Sequence, residues 1–216
     1  MKLLLIGMGP GNGLSIARRF GREGFHILMV ARNKAKLEQY VSDLAAEGIL
    51  ATGIPADIAD EKAFKEAMQQ VAAEHQDITI LHYNASAYNP ATPSGISLEV
   101  LHSDLSINLI GAIIAVQAVF PLMKSRKRGT IFLTGGGTAL QAPAMLASLG
   151  MGKAGLRNLA FSLAQECKPL GIHVATLTIS GMVQPGTKFD PDLIAEKFWT
   201  LYEQARDNWE TEVIWQ

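Results

Sequence analysis

The chain has 216 residues, 19 basic and 20 acidic, for a net charge of −1; 18% of residues are charged and 48% are hydrophobic. This make-up excludes a disordered chain and gives no electrostatic case for binding nucleic acid or an anionic membrane surface. The single cysteine, Cys167, excludes an internal disulfide and a cysteine-only zinc site, and no metal site is expected.

The apolar pattern predicts strands over Lys2–Ile6, His26–Val30, Ile49–Ile54, Ile78–Tyr83, Thr130–Thr134, Ile172–Thr178 and Glu212–Trp215. Between them it predicts helices over Asn12–Glu23, Asn33–Glu47, Asp60 to about Glu74, Ser97–Ser125, about Ala147–Cys167, and Asp192–Glu203. The strands read as continuous apolar runs, as in a parallel sheet covered on both faces. The expected fold is therefore α/β: one Rossmann-type, doubly wound parallel sheet of about seven strands, with residues 1–216 forming a single domain. The opening Met1–Ile6 run stops at Gly7, too short for a signal core. No uninterrupted apolar run approaches the roughly 20 residues of a membrane span. A cytoplasmic location without membrane attachment is the expectation.

The first strand runs into Gly7-Met8-Gly9-Pro10-Gly11-Asn12-Gly13-Leu14. Glycines here let the backbone turn sharply and let phosphates approach amides at a helix N-terminus. The spacing Gly7-x3-Gly11-x-Gly13 resembles that of the short-chain dehydrogenase/reductase family. Further matches follow in the family's order: Asp57-Ile58 after the third strand, Asn84-Ala85-Ser86 after the fourth, Asn108 in the long helix, and Lys153 in Gly152-Lys153-Ala154-Gly155. The resemblance extends from residue 1 to about 181. It implies that Gly7, Gly11, Asn12, Gly13, Leu14, Asp57, Ile58, Asn84, Ala85 and Lys153 bind a nicotinamide dinucleotide, and that Asn108 and Lys153 hold catalytic positions. At the end of the second strand, Ala31 stands where NAD-preferring members carry Asp, and Arg32 follows. A guanidinium there suits the 2′-phosphate, so NADP(H) is expected over NAD(H).

The resemblance also implies a Tyr four residues before the Lys and a Ser thirteen before that Tyr. Here those positions hold Leu149 and Gly136. Leucine has no proton to give. Ser148 is one residue off, about 100° round the helix. Tyr88 is the best-placed other phenol, with pocket lining as its plainer role; His82 is expected to pack within its strand. The run Gly135-Gly136-Gly137 is either a tight strand exit or room for a bulkier substrate. Two functions follow. One is an atypical NADP(H)-dependent oxidoreductase acting on a small carbonyl, quinone, imine or activated alkene. The alternative is a non-catalytic NADP(H)-binding protein, a redox sensor or the partner subunit of an active paralogue. The long helix is apolar on more than one face, so a homodimer or homotetramer is expected through residues 98–125 and about 147–167. The segment Met182–Phe189 leaves only a short lid, with Phe189, Trp199 and Tyr202 expected to pack the last helix.

Overall fold

The computed structural model describes residues 1–216. Seven strands form one sheet: β1 (Lys2–Ile6), β2 (His26–Ala31), β3 (Ala51–Pro55), β4 (Ile78–Tyr83), β5 (Gly129–Gly136), β6 (Ile172–Ile179) and β7 (Glu212–Trp215). All pairings are parallel, in the order β3-β2-β1-β4-β5-β6-β7. Side chains alternate across the pleat. Leu4 and Ile6 thus join a 25-residue core on one face of the sheet, while Leu3 and Leu5 join a 21-residue core on the other. Both faces are dry, which explains why the strands read as unbroken apolar runs.

The helices are α1 (Asn12–Gly21), α2 (Lys34–Ala46), α3 (Glu61–Glu74), α4 (Leu98–Leu105), α5 (Gly111–Arg126), α6 (Ala147–Cys167) and α7 (Pro191–Tyr202). Asn33, Asp60, Ser97 and Asp190 cap α2, α3, α4 and α7 with side-chain oxygens, satisfying first-turn amides. Helices α3, α5 and α6 supply the first core, and α1, α2 and α7 the second. The expected doubly wound sheet is therefore the observed one. Element ends move by one or two residues, by two at the end of α1, where Gly21 replaces the expected Glu23, at the start of β3, where Ala51 replaces Ile49, and at the end of β5, where Gly136 replaces Thr134. Ile49 instead packs under α1, against Gly21.

Two expectations need correction. The long helix is not uniform: Ser106–Ile110 form a π-turn between α4 and α5. Inside it, Tyr83 Oη donates to the Ile107 carbonyl (2.5 Å), and Asn108 turns wholly inward. Such bulges mark functional positions more often than chance. Second, the continuous helix Leu98–Arg126 does have the length of a membrane span and contains an 18-residue window with the mean hydropathy (2.0) of one. Counting uninterrupted runs missed it because Ser106, Asn108, Gly111 and Gln117 break the runs while adding no charge. In the structure this helix lies against α3, α6 and the sheet, with Ala112, Ala115, Val119 and Met123 in the core.

Strand order reverses direction between β1 and β4. In open α/β sheets, ligands bind at the carboxyl ends of the strands flanking that switch. The Gly7 loop and the Asn84 loop both leave the sheet there.

Candidate functional site

Steric necessity builds the first wall. Gly7 has φ +91°, and a Cβ on it would lie 2.4 Å from the Ala85 backbone nitrogen. Only glycine lets the β1 and β4 ends approach this closely. Asn84 Nδ2 locks the approach by donating to the Gly7 carbonyl (2.9 Å). Beyond it, Gly9 and Gly11 have nothing within 4 Å of their would-be Cβ positions, so open space lies over the loop. Helix α1 begins there with no side-chain cap; the Leu14 amide turns back to the Gly9 and Gly11 carbonyls (2.9 and 3.1 Å), while the amides of Asn12 and Gly13 have no backbone acceptor. Asn12 Oδ1 is buried there without a hydrogen-bond partner.

A cleft of about 610 Å³ runs from this loop across the switch point, lined by Gly7, Met8, Arg32, Asp57, Ile58 and Asn84 through Asn89 among others. Arg32 is exposed in the cleft wall, beside the glycine loop, and forms no ion pair. The neighbouring Asp57 carboxylate is engaged in its own turn, accepting from the Ala59 amide (3.0 Å).

Asn108 and Lys153 lie deeper, between α6 and the ends of β4 and β5. Asn108 clamps the backbone of one residue of the cleft loop: its Oδ1 accepts from the Ala87 amide (2.7 Å) and its Nδ2 donates to the Ala87 carbonyl (3.2 Å). A Cβ on Gly152 would sit 2.4 Å from Asn108 Cβ, so this glycine lets α6 close on the π-turn. Lys153 is buried, and Nζ donates to the Thr134 carbonyl (2.7 Å). Burial lowers its pKa to about 8, because desolvation disfavours the charged form.

The residues read from the sequence fall into three groups. Gly7, Arg32, Asp57, Ile58, Asn84 and Ala85 line the cleft. Gly11, Asn12, Gly13 and Leu14 form the α1 start beside it, and Asn108 and Lys153 the buried floor. Tyr88 is 62% exposed and lines the cleft. His82 packs inside the sheet as expected: Nε2 bonds Thr134 Oγ1 (3.0 Å), the ring lies 4.2 Å from Phe198, and burial depresses its pKa to about 3. Trp199 and Tyr202 pack against Phe20, while Phe189 covers Gly181 at the end of β6. Gly136 carries no strain, since a Cβ there would meet Lys153 carbons at an ordinary 3.6–3.8 Å.

Sequence reading missed one group. Ser148 does point away from the Leu149 direction, but onto a buried carboxylate: Asp104, 1% exposed, accepts from Ser148 Oγ (2.5 Å) and Asn89 Nδ2 (2.6 Å). Asp104 also lines the cleft.

Comparison with known proteins agrees with this geometry. A family description, short chain dehydrogenase, matches residues 2–192. A 2,3-dihydro-2,3-dihydroxybenzoate dehydrogenase of Bacillus subtilis is 31% identical over 184 residues, covering 85% of this chain and 68% of the relative. The dehydrogenase/reductase SDR family member 4 of Mus musculus is 29% identical over 189 residues, covering 87% of this chain and 66% of the relative. The chain thus spans about two thirds of the length of these relatives. A short-chain dehydrogenase from Rhodopseudomonas palustris superposes with TM-score 0.89 at 26% identity, over 100% of this chain and 97% of that one. A metagenomic short-chain oxidoreductase solved in complex with NADP superposes with TM-score 0.90 at 24% identity, over 99% and 96%. The class is an α/β protein built on a Rossmann-type nucleotide-binding sheet. More narrowly, the chain belongs to the short-chain dehydrogenase family.

Proposed function

We propose that this chain is an NADP(H)-dependent oxidoreductase acting on a small carbonyl, quinone, imine or activated alkene. The observation that carries the cofactor reading is Arg32, an unpaired guanidinium in the cleft wall beside the open glycine loop, whose Gly7 and Met8 amides donate to the Val30 carbonyl two residues before Arg32. A 2′-phosphate would supply the charge that Arg32 lacks. The fit is steric as well: Gly9 and Gly11 leave the loop bare where a pyrophosphate would meet first-turn amides. When bound, the reduced nicotinamide supplies a hydride.

The chain's own groups divide the remaining work. Gly11, Asn12, Gly13 and Leu14 present the helix N-terminus, and Asp57, Ile58, Asn84 and Ala85 shape the adenosine end. Lys153 keeps two ammonium protons beyond the one given to Thr134, enough to hold ribose hydroxyls. With its pKa near 8 it stays largely protonated at neutral pH. Asn108 fixes the Ala87 backbone on both sides and with it the loop that lines the cleft. Leu149 and Gly136 bring no acid and no hydroxyl to the two positions the family uses on the substrate oxygen.

That last observation also favours a second reading, a non-catalytic NADP(H)-binding protein. Titration with NADPH followed by turnover against carbonyl, quinone, imine and alkene panels separates the two. Binding with turnover of any panel member is expected. Binding with no turnover anywhere transfers the case to the second reading, and absence of NADPH binding contradicts both.

A self-association surface accompanies the site. Leu101, Leu105, Leu109 and Ile113 stay half-buried along the long helix, and Met151 and Phe161 of α6 are 45% and 38% exposed. A second copy would cover these faces in a homodimer or homotetramer.

A further inference from the structure

Asp104 is a carboxylate with almost no contact with water and no cation beside it. Its relative exposure is 1%, and no Lys, Arg or His nitrogen lies within ion-pair distance. Its two donors, Asn89 and Ser148, are neutral. A buried carboxylate is ordinarily paired, because desolvation without a counter-charge is unfavourable. Asp104 sits in the wall of the candidate cleft, not in the core. Beside it in the same wall is Tyr88, whose ring is mostly exposed. An aromatic face and an uncompensated carboxylate together favour a cation. The pair is also held in place: Asn108 grips Ala87 and Asp104 grips Asn89, the residues on either side of Tyr88.

A second, independent feature is the chemistry missing one residue away. Ser148 binds Asp104, and the next residue along α6 is Leu149, which has no proton to donate. Reduction of a neutral carbonyl needs a proton for the developing alkoxide. Reduction of a cationic C=N bond needs none. The carbon accepts the hydride pair, the C=N π pair becomes the nitrogen lone pair, and the formal positive charge disappears as the nicotinamide is oxidised. No proton moves.

We propose that the substrate of this cleft carries a cationic nitrogen, an iminium reduced to a tertiary amine, held by the Asp104 carboxylate and the face of Tyr88. This rests on the oxidoreductase reading above and narrows its list of acceptors to one class.

The test uses N-methyl-3,4-dihydroisoquinolinium, whose charge is permanent, and 1-tetralone, a neutral ketone of similar shape. Calorimetry on the protein loaded with NADP+ reads binding without turnover. The cation should bind at least about tenfold more tightly than the ketone, and Asp104→Asn should remove about tenfold or more of that affinity, since charge-assisted contacts are worth this much. Asp104→Asn keeps one acceptor for the α4–α6 contact. An unchanged NADP+ affinity shows that the variant is folded, and Tyr88→Ala, at an exposed position, gives a second variant that should lose several-fold. With NADPH, the cation should be turned over and the ketone should not. Turnover of the ketone with equal or weaker binding of the cation overturns the iminium assignment and leaves the oxidoreductase reading intact. Equal cation affinity in wild type, Asp104→Asn and Tyr88→Ala also overturns it. NADPH binding with neither compound turned over and no cation binding overturns the iminium assignment, and the oxidoreductase reading falls with it only if the quinone and alkene panels are silent too.

Discussion

Installing the family's two proton-handling side chains, by Leu149→Tyr with Gly136→Ser, should create a ketone reductase. The structure allows it. A Cβ at Gly136 finds Lys153 carbons at 3.6–3.8 Å, so the serine Cβ enters without displacing anything. Leu149 is half-buried one helical turn before Lys153, so a tyrosine there would rise about 6 Å along the axis from the lysine. A positioned general acid contributes about 10²–10⁴-fold, or about 3–5 kcal/mol of barrier. NADPH oxidation with 1-tetralone should therefore rise by at least about 100-fold over wild type. Melting temperature and NADPH affinity serve as controls for folding. If the double variant folds, binds NADPH and reduces the ketone no faster than wild type, the missing acid is not what separates this site from ketone chemistry. If wild type already reduces the ketone at that rate, another group delivers the proton and the role given to Leu149 is wrong.

Other consequences follow from packing and charge. Gly7→Ala would force φ near +91° on an L-residue and place its Cβ 2.4 Å from backbone; a loss of about 2–4 kcal/mol in urea unfolding is expected, with weaker NADPH binding. His82 titrates near 3 in the folded chain because it is desolvated, against about 6.5 unfolded. The unfolded state therefore takes up the proton first, and stability should fall as pH drops from about 6.5 towards 3, by up to about 1.4 kcal/mol per pH unit from this group. His82→Phe should flatten that slope, read from urea midpoints at several pH values, and an unchanged slope would remove His82 as its cause. Phe161→Arg with Met151→Arg, both at exposed positions of α6, should convert an oligomer to monomer in sedimentation at constant melting behaviour. An unchanged assembly would move the interface elsewhere.

What could be read from the chain, and what could not, divides along physical lines. The strands were legible because burial on both faces demands unbroken apolar runs, and Gly7 because no other residue fits its backbone. The helix expected to open at Asp60 is α3, which Asp60 caps. The π-turn at Ser106–Ile110 left no mark in the apolar periodicity, since it follows from contacts to Tyr83 and Ala87, distant in sequence. Asp104 was illegible for a related reason. A lone aspartate in a helix reads as solvent-facing, and its burial depends on α6 closing over it through Ser148 and Gly152. Ser148 was dismissed on helical geometry that was correct, yet what stood on its other side could only be seen in three dimensions.

The reading as a whole depends on the cleft binding a phosphorylated nicotinamide dinucleotide through Arg32. Fluorescence titration of wild type and Arg32→Ala with NADPH and NADH tests this directly. Wild type should bind NADPH at least about tenfold more tightly than NADH, as charge-assisted hydrogen bonds to one phosphate warrant, and Arg32→Ala should erase the difference by weakening NADPH alone. Equal affinities in wild type, or a preference that survives the loss of Arg32, would contradict the account.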